Sequence, residues 1–211
     1  MSHSFAYIHL RCQENGPCVS GQINYHIGQN NRSRNSDGLF LEWYYENNTL
    51  TVRNDGFGFY PCFVFTNHSE IIVSTSPLAI IAQGGDGRLD PEAFAVFAWL
   101  GFFIDNETPF AHIRHLPPGS TLVWHNGQTT LQSDGPYMPE PCERSPQEAT
   151  DGLIELTRAS VARCIQEIDD DIMLPLSGGR DSRHILFELI RQGVRPRACV
   201  TVGDDATGSD G

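Results

Sequence analysis

The stretch that most constrains this chain is Leu174-Pro175-Leu176-Ser177-Gly178-Gly179-Arg180-Asp181-Ser182-Arg183. A mostly apolar run, residues 171–176, leads into it, as expected of a buried strand. Pro175 cannot donate to a sheet ladder, which places it near that strand's carboxyl end. Beyond the turn, Ile185, Leu186, Leu189 and Ile190 recur at helical spacing, and Gly193 is a natural stop. Residues 197–203 then read as a second strand, which makes one βαβ unit with the usual right-handed crossover.

A turn of this kind suits an anion. Gly178 and Gly179 let the backbone come close to a ligand, Ser177 and Ser182 offer hydroxyl donors, and the helix that follows presents unpaired N–H groups and its positive dipole end. The lysine and spacing of a Walker A loop are missing. Asp181 would repel a bare phosphate, so its presence points to a divalent cation shared with a nucleotide. The plainer alternative is a glycine-rich turn whose serines and aspartate only cap the helix.

Charge and composition narrow the partners. The 211 residues are 39% hydrophobic, enough for a core and for one or two domains. Fourteen basic residues against 26 acidic ones give a net charge of −12, which argues against nucleic acid. The six cysteines, Cys12, Cys18, Cys62, Cys142, Cys164 and Cys199, show no paired or metal-like spacing, so thiols in a reducing cytoplasm are expected. No apolar run approaches a membrane span, and no membrane partner is expected. His112 and His115 have a metal-like spacing without a further ligand nearby, and His184 reads as a surface histidine.

Upstream, the chain reads as antiparallel. Residues 5–10 suggest a strand, and the polar residues 29–38 a loop. Residues 39–45 and 49–53 are aromatic and β-branched runs, with Asn47 and Asn48 between them as a hairpin signal. Residues 61–66 and 70–74 form a second such pair, and 120–125 with 128–131 a third around Asn126-Gly127. Residues 91–100 carry helical periodicity, and the aromatics Phe94, Phe97, Trp99, Phe102 and Phe103 are expected in the core. Residues 135–145 read as a linker. Ser145-Pro146-Gln147-Glu148 then opens a helix with a capping box and proline at its first position. Ile154, Val161, Ile165 and Ile168 mark the face that should meet the sheet.

Ser177-Gly178-Gly179-Arg180-Asp181-Ser182 resembles the Ser-Gly-Gly-x-Asp-Ser pyrophosphate loop of the N-type ATP pyrophosphatases. Three upstream segments resemble asparagine synthetases in particular, and in that family's order: residues 52–61 around Arg53-Asn54-Asp55, residues 74–81, and His115-Leu116-Pro117-Pro118-Gly119-Ser120. The resemblance spans about residues 39–203. It implies a mixed α+β and α/β chain: an antiparallel, Ntn-hydrolase-like amidotransferase domain at 1–134, the linker, and the start of a parallel-sheet PP-loop domain at 146–211. It implies ATP and magnesium as cofactors, with Leu176 and Val202 flanking the adenosine, Ser177, Gly178, Gly179 and Ser182 around the pyrophosphate, and Asp181 helping to hold magnesium. The implied reaction adenylates a carboxylate and passes the acyl group to ammonia or an amine.

Two departures from the family limit this reading. The chain begins Met1-Ser2-His3 where glutamine-using members begin Met-Cys-Gly, so glutaminase activity is expected to be lost. Residues 21–25 only faintly resemble the family's substrate loop. The sequence also stops after the second parallel strand, as the front part of a longer enzyme would. A silent fragment, or a subunit working with a companion chain or as a homodimer, is the rival expectation.

Overall fold

The computed structural model describes residues 5–14, 16–31, 37–133, 140–166 and 171–201. The chain divides into two compact units, Met1–Pro139 and Glu140–Gly211. It is a mixed α+β protein with antiparallel sheets and four helices among the described residues. None of these helices is long and apolar enough to cross a membrane.

The first unit holds two five-stranded antiparallel sheets. One runs β2 (Cys18–Gly21), β1 (Tyr7–Arg11), β7 (Glu70–Ser74), β6 (Phe63–Thr66) and β8 (Ile113–His115). The other runs β10 (Gln128–Ser133), β9 (Ser120–His125), β5 (Thr49–Asn54), β4 (Asp37–Glu46) and β3 (Asn24–Asn31). Their turns follow from local chemistry. Glu46 pairs with Thr49, leaving Asn47 and Asn48 as a two-residue loop with φ of 49° and 59°. Asn126 and Gly127, at 48° and 81°, close the β9–β10 hairpin in the same way. Asparagine and glycine tolerate this left-handed backbone, which matches the twist of the flanking strands. Between β6 and β7, the Asn67 side chain accepts the Ser69 and Glu70 N–H groups and makes the turn itself.

Alternation decides the core. Ile8, Leu10, Ile71 and Val73 of the first sheet join Leu41, Trp43, Leu50, Val52 and Trp124 of the second in one buried cluster. The opposite face of the first sheet, with Phe65, Ile72 and Ile113, is covered by Ile80 of α1 (Pro77–Ala82). That double covering explains why Ile71, Ile72 and Val73 are all buried in consecutive positions. Truncating Trp43 or Trp124 to alanine would cost about 3–5 kcal/mol.

Several expectations need correction here. The strand at 5–10 lies at Tyr7–Arg11, and β2, β3, β8 and α1 were not anticipated. The expected loop at 29–38 is partly ladder, because Asn30 pairs with Gly38 and Asn31 with Asp37; residues 32–36 lie outside the described ones. His115, read for its metal-like spacing with His112, sits in β8. The aromatics expected in the core are mostly outside it: on α2 (Pro91–Leu100), Phe94, Phe97 and Trp99 are exposed, as is Phe102 beyond it, and Phe103 is half-buried. Only Ala93 of that helix is buried, since a helix apolar on every side can turn only one of them inward.

The second unit contains α3 (Pro146–Gln166), β11 (Met173–Pro175), α4 (Arg180–Arg191) and β12 (Ala198–Val200). The two strands are parallel, with Pro175 the last residue of β11, so the βαβ arrangement holds. Ser145 and Glu148 form the expected capping box, with Ser145 N–H donating to the Glu148 carboxylate and Glu148 N–H to Ser145 Oγ. Helix α4 stops in a Schellman motif: Val194 N–H bonds Leu189 O, Gly193 N–H bonds Ile190 O, and Gly193 takes φ 81°. The strand expected to be buried is not. Leu174 alone is buried in β11, and Met173 and Val200 are exposed, because a two-stranded sheet has no neighbours to cover its remaining surface. The face of α3 expected to pack on the sheet is half-buried at Ile154, Val161 and Ile165, and Ile168 lies outside the described residues. Val161, Ile165, Ile172, Leu174, Ile185 and Leu189 line an open apolar cleft of about 650 Å³.

Two groups make the first unit acid-sensitive in successive windows. Burial holds His115 below the usual imidazole range, partly offset by its backbone bond with Leu116. The folded state then binds fewer protons than the unfolded chain as pH falls through that range, and stability is lost there. Burial pushes the Glu70 carboxyl up, but hydrogen bonds from His9, Arg11 and Asn67 outweigh it and hold the group low. Its contribution is present above the ordinary glutamate pKa and is lost as pH falls through the lowered folded value. Urea midpoints followed from neutral to strongly acid pH should fall in two steps. His115→Gln should flatten the first and Glu70→Gln the second; an unchanged first step in His115→Gln would refute the assignment.

Candidate functional site

The turn between β11 and α4 starts from a fixed backbone. Leu176 N–H donates to Val200 O at 2.8 Å, and Thr201 Oγ1 donates to Leu176 O at 2.6 Å. The chain therefore leaves the sheet at the carboxyl end of two parallel strands, the side on which open α/β sheets bind ligands. Ser177 and Ser182 then close the turn: their hydroxyls lie 3.1 Å apart, Ser182 Oγ donates to Ser177 O, and Gly179 N–H donates to Ser177 Oγ at 3.2 Å. Leu176, Ser177, Gly178, Gly179, Asp181 and Ser182 are thus brought together. Val202, expected beside the adenosine, lies outside the described residues.

What the turn leaves open matters more. Gly179 is the N-cap of α4, in extended backbone, with no side-chain cap hydrogen bond. Helix α2 fills its own start, Asp90 accepting from Glu92 and Ala93 N–H, and α3 does so with Ser145. The first turn of α4, like that of α1, has no side-chain cap for its N–H groups and positive dipole end. Gly178 has no positive φ, and a Cβ added there would meet nothing within 4 Å. Neither backbone conformation nor packing requires glycine at this position.

Charge at the turn is mixed. Arg180, Asp181 and Arg183 are exposed, and His184 is half-buried. Asp181 has no hydrogen-bond or ion-pair partner among the described residues. Arg183 Nε donates to Gly179 O at 3.0 Å, tying the helix back to its own cap residue. The sequence reading gave Arg183 no role. The signal that would have found it is its placement four residues after the last glycine, one helical turn along the same face.

In the first unit, two of the segments that resemble asparagine synthetases meet. Asn54 Nδ2 donates to Pro117 O at 2.8 Å, and Asn54 Oδ1 accepts Ser120 N–H at 2.7 Å. Asp55 is buried and accepts the N–H groups of Phe40 at 3.0 Å and Phe57 at 2.8 Å, while its own carbonyl accepts Gly58 and Gly119 N–H. Arg53 lies against the Glu42 carboxylate at 3.3 Å, with His26 on the other oxygen. The segment 21–25 is occupied structurally: Trp43 Nε1 donates to Gln22 O, and the Tyr25 ring stacks on Trp43 at 4.3 Å. Ser2 lies outside the described residues.

Among the described residues no three histidine, cysteine, aspartate or glutamate side chains converge as a metal site. His112 contacts Arg88 and Asp86, and His115 meets the edge of Phe63 at 5.2 Å. All six cysteines are free, and only Cys62 is buried; its surroundings push the thiol well above the usual range. No known family model matches this chain, and no curated protein matches it.

Breaking the Arg183 tie should loosen the turn and little else. Arg183→Met is expected to speed hydrogen exchange at Gly179 and Arg180 and to change unfolding free energy by about 1 kcal/mol or less. Unaltered exchange at those amides would show that the bond does not hold the turn.

Proposed function

We propose that the second unit binds ATP with magnesium at the β11–α4 turn, as the nucleotide-binding part of an asparagine-synthetase-like, amide-forming ligase. The observation that carries the reading is the uncapped start of α4 behind a glycine, Gly178, that the protein's own packing does not need. Close approach of a ligand to the backbone is the remaining physical reason for glycine there. The motif Ser177 to Ser182 supplies the chemical class by resemblance. An N–H-rich turn with two hydroxyls suits a pyrophosphate. A single carboxylate, Asp181, suits magnesium that takes most of its ligands from phosphate and water.

In this reading ATP supplies an α-phosphorus for attack by a carboxylate oxygen, with pyrophosphate as the leaving group. The chain's own residues hold the departing pyrophosphate through Ser177, Gly178, Gly179 and Ser182, which stabilises charge as it develops. An amine or ammonia is the acceptor. The first unit belongs with this reading as an Ntn-hydrolase-like scaffold, and the cytoplasm as its compartment.

A second reading is a module that holds nucleotide without turning it over, alone or beside a companion chain. The exposed Met173, Phe187 and Val200 of the second unit favour it. Carboxylate-dependent exchange of pyrophosphate into ATP separates the two: exchange supports the ligase, and ATP binding without exchange supports the module.

Binding itself is tested at glycine. Gly178→Ala should leave unfolding free energy within about 1 kcal/mol of the parent. The same change should weaken magnesium-ATP binding in calorimetry by about tenfold or more, the loss expected when a side chain blocks close backbone approach. Undiminished affinity in Gly178→Ala would sink the site. Asp181→Asn should lower affinity only when magnesium is present.

A further inference from the structure

We propose that Arg180 grips the terminal phosphates of the nucleotide at the β11–α4 turn and stays with them as pyrophosphate, an inference that rests on the reading of that turn as an ATP site. The Ser-Gly-Gly-x-Asp-Ser pattern leaves this position open, so the resemblance assigns Arg180 nothing.

Arg180 stands where a helix least favours a cation. It is the first residue of α4, directly after the N-cap Gly179. Helices α1, α2 and α3 each begin with proline instead, Pro77, Pro91 and Pro146, and the charged residues in their first turns, Glu92 and Glu148, are acidic. Arg163 and Arg191 lie in the last turns of α3 and α4, where the dipole favours them. At the start of α4 the dipole opposes Arg180, and nothing offsets it. Arg180 is exposed, forms no ion pair with the neighbouring Asp181, and has no hydrogen-bond partner among the described residues. Arg183, one turn on, is already engaged with Gly179 O. A residue that opposes the local rule without a contact in return is explained by a contact made in the complex.

Reach and charge fit the phosphate tail. Helical side chains lean toward the N-terminus, so a long arginine at the first position extends past the first turn, toward the space in front of the α4 N–H groups. The chain carries a net charge of −12, yet residues 177–184 hold two arginines and one aspartate, a local excess of one positive charge with His184 neutral. In the ATP reading Asp181 is taken up by magnesium, which leaves Arg180 for phosphate oxygens that the metal does not bind. Its planar fork can donate two parallel hydrogen bonds to one phosphate, which a single backbone N–H cannot. Pyrophosphate gains negative charge as its bond to the α-phosphorus breaks, so a guanidinium held on it favours departure.

Titration calorimetry of the full chain with magnesium-ATP, magnesium pyrophosphate and AMP tests the assignment. Arg180→Gln should weaken ATP and pyrophosphate by about tenfold or more, the loss of one charge-assisted contact, and leave AMP within about twofold. Arg180→Lys should recover only part of that loss, because a point charge replaces the fork. With no ligand present, Arg180→Gln should unfold at the same urea concentration as the parent or a higher one, the opposite of what a structural arginine would give. Unchanged ATP and pyrophosphate affinity in Arg180→Gln, or an equal loss for AMP, overturns the role of Arg180. If Gly178→Ala loses ATP while Arg180→Gln keeps it, the site stands and Arg180 alone is misassigned. A parent chain that binds neither ATP nor pyrophosphate removes the site and the role of Arg180 together.

Discussion

The first unit depends on a buried carboxylate. Among the described residues Asp55 has no ion-pair partner; its carboxyl accepts backbone N–H groups from β4 and from the loop that follows β5, while Asn54 next to it clamps the Pro117–Ser120 corner. A carboxylate taken out of water tolerates such a place only when N–H donors replace its hydration. The requirement works in both directions, since those N–H groups would otherwise be orphaned at the end of a sheet. The corner thereby ties β4 at Phe40 to the end of β5 and the start of β9. Trp43 and Trp124, two strands apart in the second sheet, both lie in the one buried cluster.

The two units solve burial differently. In the first, every strand of the central ladders has a second layer over its inner face, and α1 covers the outer face of β6 and β7. In the second, two short parallel strands and two helices bury Leu174, Leu189 and Glu188, with the partly exposed Arg158 holding its Nε 3.4 Å from Glu188 Oε2. Helix ends show the same contrast. Helices α2 and α3 start on a side-chain cap and α1 and α4 do not; of the two uncapped helices, α4 is the one that follows the parallel strand.

Much of this was legible in the sequence because the relevant forces are local. Asn47-Asn48 and Asn126-Gly127 state their turns in the residues that can hold positive φ. Ser145 and Glu148 state a helix start, and the run from Leu174 to Gly193 states strand, turn, helix and stop. The candidate turn was readable for the same reason. Strand β3 was not, although Tyr25 and Ile27 alternate as a strand's inner residues should: its end from Gln29 to Asn31 read as part of a polar loop, and pairing with β4 is what makes it a strand. Helix α2 shows the opposite limit. Periodicity identified the helix, but an all-apolar helix does not announce which sides are covered, so Trp99 was assigned to a core that contains only Ala93. The open N–H groups at the start of α4 were expected from Gly178 and Gly179, whereas the Arg183 tie went unread although its spacing from Gly179 allowed it.

The ladder order of the first unit also has a temporal meaning. β1 pairs with β7, β6 with β8, and β5 with β9, where Thr49 meets His125 across 76 residues of chain. The β1–β2, β3–β4–β5, β6–β7 and β9–β10 hairpins can zip from near neighbours; the sandwich that buries Trp43 has to wait for Trp124. As a ribosome extrudes the chain, most of the first unit must emerge with its apolar strands unpaired before β9 arrives to close it. Distant closures of this sort are slow. The second unit, whose strands are joined by a single helix, assembles from contacts already close in sequence and can form as soon as it is made.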